Sequence, residues 1–181
     1  RLVVFSNDWS DTAAFVAVES NGRETDWVYG LNEEELDLNP ASEQSIELMI
    51  HEFAHVFTLD QFIQSTTQTD DCHEFFGETG CYARGTYLSE YVQEFWNDDL
   101  LDELVDAGNS SRALDRLYER YESDFVTDYA ATDPSEDFAE TFAWYVLDLE
   151  VEQGSVAENK MDFMDSFPQI RAYKAEIVSN I

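Results

Sequence analysis

Residues 41–59, ASEQSIELMIHEFAHVFTL, place two periodic demands on one short segment. Ile46, Met49, Ile50, Phe53 and Phe57 recur at the spacing of one helix face. His51 and His55 stand four apart, and residues i and i+4 of a helix are surface neighbours. Any fold must give this helix a core to pack against and must bring a partner to two adjacent imidazoles. Asn39-Pro40 just ahead reads as the helix start signal.

The histidines lie in His51-Glu52-Phe53-Ala54-His55, the HExxH pattern, in which both imidazoles reach one metal ion. Each would bind Zn2+ at about 2.0–2.1 Å. Glu52 lies about 100° round the helix from His51, so it borders the open position of the ion without ligating it. There a carboxylate takes a proton from the water that the ion activates. Random placement of this composition gives on the order of 0.006 such matches. Two of the chain's 3 histidines are spent here. The third, His73, falls in a polar loop and reads either as a solvated side chain or as a further ligand.

A catalytic zinc site takes three protein ligands and keeps one position open. The metzincin continuation of HExxH requires Gly at 58 and His at 61. The chain has Thr58 and Gln61, which excludes it. Asp60 reads as an acidic helix end or as a carboxylate ligand. Downstream, DPSEDFAETFAWY sets Glu136 and Glu140 four apart on one helix face. The same segment is a helix start, with Asp133 as N-cap, Pro134 first and Glu136 third. On that reading Glu136 caps, and Glu140 is left to ligate.

HExxH followed by Glu136-x-x-x-Glu140 resembles the gluzincin zinc metallopeptidases, with Glu where their ExxxD pattern ends in Asp. The resemblance implies Glu136 as third ligand and Glu140 as the acid that fixes the tautomer of a ligating histidine. YAATDPSEDFAE (129–140) is similar to the corresponding segment of the group that contains the catalytic domain of anthrax lethal factor and small secreted bacterial relatives. In that group a Tyr precedes the zinc-binding Glu by this spacing. The similarity implies that Tyr129 faces the ion and donates a hydrogen bond to a developing oxyanion. Without the spacing, Tyr129 reads as a packed tyrosine with a satisfied hydroxyl. The resemblance covers roughly residues 43–60 and 129–145, and more loosely 161–181. It implies one Zn2+ ion, a zincin-like domain and hydrolysis of a peptide bond. Two rival readings stay open: a non-catalytic zinc-binding adhesion or interaction module, and a zinc hydrolase acting on a non-peptide amide.

The remaining pattern is consistent with an α+β chain forming a single domain over 1–181, a small twisted N-terminal sheet followed by helices. RLVVFS (1–6), AAFVAVES (13–20) and DWVYGLN (26–32) read as strands between Asn-Asp and Asn-Gly turns. DWVYGLN is the strand expected to offer an edge to an extended substrate. Helical spacing covers 86–108 as one helix or two, then 111–125, 134–150 and about 167–180. Cys72 and Cys81 sit in a polar, Gly-containing loop and read as two free thiols or as a disulfide of an extracytoplasmic protein. The chain opens at Arg1 with no basic and apolar leader, which reads as a mature or excised fragment of a secreted protein.

Charge narrows the partners. Asp and Glu number 40 against 9 Lys and Arg, a formal net charge of -31. Phosphate backbones and anionic bilayers would repel such a chain, so nucleic acid and membrane surfaces are excluded as partners. With 44% hydrophobic and 14% aromatic residues, the chain is too apolar to be disordered. The expected partner is a peptide or protein substrate, with cationic chemistry favoured by the field, and the expected state is a monomer. The acids are spread along the whole chain, which suits a solvated acidic surface better than a steering patch. Screening by counterions should then raise the melting temperature as NaCl increases. A melting temperature indifferent to salt would contradict the general-surface reading.

Overall fold

Three β-rich runs open the chain. In the computed structural model, which describes residues 2–5, 13–20, 25–32, 42–59, 72, 76–77 and 80–181, they form β1 (Leu2–Phe5), β2 (Ala14–Ser20) and β3 (Thr25–Asn32). The sheet order is β1-β3-β2. β1 runs parallel to β3, with Val3 opposite Gly30, and β2 runs antiparallel to it, with Val16 opposite Tyr29. This corrects one expectation: β3, which carries DWVYGLN, is the central strand, and its backbone is paired on both sides. Alternation identifies a strand but not its neighbours, and here β1 adds on the far side of the β2–β3 hairpin. The edge beside the hairpin belongs to β2. At Gly30 the Phe15 ring lies across the space a Cβ would take, so any side chain there would have to displace that ring.

α1 (Glu43–Leu59) follows. Its first turn is capped by Ser42, whose hydroxyl accepts the Ser45 N–H at 3.1 Å; Asn39-Pro40 lies outside the described residues. The helix is covered on two sides. Leu48 and Met49 pack under the sheet against Ala14, Tyr29 and Leu31, and the Tyr29 hydroxyl donates to the Met49 carbonyl at 2.5 Å. Ile50, Ala54 and Phe57 face the helical core instead. The apolar stripe read from the sequence is thus divided, with Met49 serving a different layer from Ile50 and Phe57.

Beyond α1 come a two-stranded hairpin, β4 (Phe76–Gly77) and β5 (Gly80–Cys81), and the helices α2 (Tyr87–Phe95) and α3 (Asp98–Ala107). Cys72 and Cys81 are joined by a disulfide. The stretch 86–108 divides in two because the Asn97 side chain accepts the Leu100 N–H at 3.0 Å and starts a new helix. α4 (Ser111–Arg120) ends before 125, and a 3-10 turn over Glu122–Asp124 replaces its last residues. A second 3-10 turn, Ala130–Thr132, leads into α5 (Pro134–Val146). α5 stops short of 150: Asp148 takes a left-handed φ of 53°, and the Leu149 N–H reaches back to the Trp144 carbonyl at 3.0 Å. α6 (Val156–Ser166) has no counterpart among the helices expected from the sequence, and α7 (Pro168–Val178) closes the chain. The start of α6 is nonetheless written locally. Ser155 accepts the Glu158 N–H at 3.0 Å, and the Glu158 carboxylate accepts the Gly154 N–H at 2.6 Å, a variant of the capping box.

The described residues thus form an α+β chain of seven α-helices and two small sheets. α1 and α5 pack against each other through aromatic side chains, with Phe57 5.1 Å from Phe142 and 5.9 Å from Phe138, ring centre to ring centre. Behind α5 the core holds a charge pair: Lys160 Nζ lies 2.6 Å from Asp137 Oδ2, with both side chains almost fully buried. Trp96 Nε1 donates to the same carboxylate oxygen at 2.8 Å, and Lys160 also donates to the Asp124 carbonyl at 2.6 Å. Removing one member of such a pair strands the other charge. Lys160→Met should therefore cost about 3–5 kcal/mol, read by chemical denaturation. The double variant with Asp137→Leu should recover part of that loss. A loss under about 1 kcal/mol in the single variant would show that the pair carries no such weight.

Candidate metal centre

α1 presents His51, Glu52 and His55 toward α5, and α5 presents Glu136 and Glu140 in return. His51 Nε2 lies 3.1 Å from His55 Nε2 and 3.1 Å from Glu136 Oε2, and His55 Nε2 lies 3.4 Å from that same oxygen. Four ligands at about 2.0–2.1 Å in a tetrahedron lie about 3.3–3.4 Å apart. The three atoms therefore have nearly the spacing of three corners around one small cation, and His51, His55 and Glu136 can hold a metal ion.

Hydrogen bonding orients the cluster. His51 Nδ1 lies 2.6 Å from Glu140 Oε1. A carboxylate accepts, so Nδ1 carries the proton and the Nε2 lone pair is turned toward His55 and Glu136. The other Glu140 oxygen accepts from the Thr127 hydroxyl at 2.7 Å, and that hydroxyl accepts the Ala130 N–H at 3.0 Å. Glu136 Oε2 is buried and lies 3.1 and 3.4 Å from the two imidazole Nε2 atoms, and among the described residues no donor makes a well-formed hydrogen bond to it. An orphaned buried carboxylate oxygen beside two imidazole nitrogens is explained by a cation among them.

The titration behaviour agrees. Burial alone would push His51 down, but the Glu136 and Glu140 carboxylates outweigh it and raise the imidazole to about 9. Burial would push Glu136 up, but His51 and His55 hold it well below the usual carboxylate range. Both shifts express a demand for positive charge at the centre, met by a proton when no metal is bound.

Glu52 is buried beside this cluster. Burial raises its carboxyl above the usual range, with His55 and His51 opposing. Its charge also acts on Tyr29 from the sheet side and on Tyr129 from the other, so the carboxylate lies within electrostatic reach of both phenols. The Tyr129 ring centre is 5.9 Å from that of His51, and about half of the residue is open to solvent. Partial burial, then Glu136, Glu52 and Glu140, push its phenol above the ordinary tyrosine range, so it stays a donor at neutral pH.

The residues singled out in the sequence therefore fall together: His51, His55 and Glu136 converge on one point, Glu140 bonds His51 from behind, and Glu52 and Tyr129 lie beside the cluster. Asp133 accepts the Ser135 N–H at 2.7 Å and caps α5 by itself, which frees the Glu136 carboxylate for the cluster. Glu136, not Glu140, brings its oxygen to both Nε2 atoms. His73 and Asp60 lie outside the described residues. Thr127 is absent from the residues the sequence singled out; its only local sign is a Thr three residues ahead of a turn N–H. Comparison with family models, with curated proteins and with solved structures found no match for this chain.

One divalent ion per chain should bind, measured by metal analysis after dialysis. Glu136→Ala should weaken zinc binding more than Glu140→Ala, because the first removes a ligand and the second only its orientation. The reverse order would transfer the ligand role to Glu140.

Proposed function

We propose that this chain is a zinc-dependent peptidase of the gluzincin type, with a zincin-like arrangement of sheet, α1 and α5. The observation that carries the reading is the triangle of His51 Nε2, His55 Nε2 and Glu136 Oε2 at 3.1, 3.1 and 3.4 Å, with a buried carboxylate alongside. Among the described residues the cluster supplies three ligands, the number typical of catalytic zinc sites, whereas structural sites close all four positions. A structural site also has no use for a buried Glu52 or for a tyrosine donor at the rim. These two residues favour an enzyme over a zinc-binding adhesion or interaction module.

His51, His55 and Glu136 would hold the ion. When bound, Zn2+ supplies Lewis acidity, making water acidic enough to be deprotonated near neutral pH and polarising a carbonyl. Glu52 accepts the proton of the attacking water, and burial strengthens it as a base. It then returns that proton to the departing amine, so the carboxylate ends the cycle ionised. Tyr129 keeps its proton and donates a hydrogen bond to the oxygen on which negative charge develops. Glu140 accepts from His51 Nδ1 and keeps the lone pair of Nε2 facing inward.

An extended peptide would add to the edge of β2, which among the described residues pairs on one side only and which contacts α1. The acidic field favours cationic substrates. The Cys72–Cys81 disulfide fits an oxidising, extracytoplasmic compartment. Among the described residues no helix is long and apolar enough to cross a membrane.

Two variants test the chemistry against a peptide library. Glu52→Gln should keep one zinc per chain and lose cleavage; cleavage surviving at the wild-type rate would end the mechanism. Tyr129→Phe should lower kcat by about 10-fold to 100-fold, the effect of one lost oxyanion donor. An unchanged kcat would return Tyr129 to a packing role.

A further inference from the structure

The Thr127 hydroxyl makes two directional contacts with residues that belong to different parts of the site. It accepts the Ala130 N–H at 3.0 Å, which closes the turn containing Tyr129. It donates to Glu140 Oε2 at 2.7 Å, while Oε1 of the same carboxylate lies 2.6 Å from His51 Nδ1. A hydroxyl has one proton, and here it is committed to Glu140. Two series meet at one carboxylate: the Ala130 N–H donates to Thr127 and Thr127 donates to Glu140 Oε2, while the His51 ring donates to Glu140 Oε1 from the other side. Neighbouring hydrogen bonds of this kind polarise and orient one another. Tyr129 sits between Thr127 and Ala130, inside the loop that this hydroxyl closes. The Tyr129 carbonyl accepts the Thr132 N–H at 3.0 Å and the Thr132 hydroxyl at 2.7 Å, so the residue is held within its own turn and lies outside both α1 and α5.

We propose that Thr127 is a positioning residue that ties the turn bearing Tyr129 to the Glu140–His51 pair, so that one hydroxyl sets both the imidazole orientation and the place of the phenol. The metal part of the inference depends only on the cluster of His51, His55 and Glu136. The Tyr129 part rests on the proposed peptidase reading.

Zinc affinity, read by competition with a chromogenic chelator, tests the first part without any activity measurement. Thr127→Val preserves shape and removes the hydroxyl; it should weaken zinc binding about 10-fold. Thr127→Ser keeps the hydroxyl and should bind as the wild type does. In a Glu140→Gln background, Thr127→Val should add little, because the contact it would remove is already altered. Should Thr127→Val fail to fold, Thr127→Ala is read in its place, with thermal melts confirming which variants are native. Wild-type zinc affinity in Thr127→Val, an equal loss in Thr127→Ser, or full additivity with Glu140→Gln would each overturn the proposal. Such results would leave the metal cluster itself standing, whereas loss of zinc binding by the wild type would remove that cluster first. For the second part, Thr127→Val should lower kcat in the Tyr129 protein by a larger factor than in Tyr129→Phe. Equal factors in both backgrounds would sever the link to Tyr129.

Discussion

A buried ammonium, Lys160, governs how the second half of the site is presented. Its charge is matched by Asp137 at 2.6 Å, and both groups are almost without solvent. Burying such a pair seldom adds much to stability, because desolvation offsets most of the attraction. Its effect is on orientation. Asp137 must face α6, and consecutive residues of a helix point about 100° apart. Fixing Asp137 on the α6 side of α5 therefore turns Glu136, its immediate neighbour, toward α1 and the two histidines. The same ammonium takes the Asp124 carbonyl at 2.6 Å. One cation thus anchors both ends of the segment from Asp124 to Asp137, which contains Thr127, Tyr129 and Glu136.

The site reverses the electrostatics of the rest of the chain. A net charge of -31 already favours cations near the surface. At the centre, Glu52, Glu136 and Glu140 gather beside two imidazoles, and among the described residues no Lys or Arg forms an ion pair with any of the three. The raised His51 and lowered Glu136 show the field such a gathering produces. A divalent ion held there would neutralise carboxylates that otherwise repel one another, and it would set the local titration order. The general excess of acid and the local cluster are therefore different features. The first is dispersed and screened by salt, while the second is buried and screened far less.

What could be read from the sequence follows the range of the interactions involved. α1 and its HExxH, and the paired Glu136 and Glu140, depend on contacts within one turn of helix, and periodicity exposes them. The cap of α5 by Asp133 was legible for the same reason. The position of β3 in the sheet was not, because strand order depends on partners elsewhere in the chain. The spacing places Met49 on the same face as Ile50, and only the presence of a second layer separates them. Lys160 looks like an ordinary surface cation until Asp137, Trp96 and Asp124 are brought to it from other elements. Thr127 reaches Glu140 across thirteen residues, and a Thr between buried Val126 and Ala130 carries no mark of that partner. α6 lies outside the helices read from the sequence although its signals are local: Ser155 and Glu158 cap it, and Ala157, Met161 and Met164 recur at helical spacing.

The parts of the site differ in how firmly their backbone is held, and this determines where support is needed. His51, Glu52 and His55 share one helix, so the distance from base to ligands is set by helical geometry alone. Glu136 and Glu140 share a second helix, packed against the first through Phe57, Phe138 and Phe142. Groups carried on helices keep their geometry better than groups on loops. Tyr129 is the exception, half exposed on a segment that is neither α4 nor α5. Lys160 holds that segment at Asp124, Asp133 caps the helix at its far end, and Thr127 ties its middle to Glu140. The contacts that bear on the site without touching the cluster converge on the element with the least regular structure of its own.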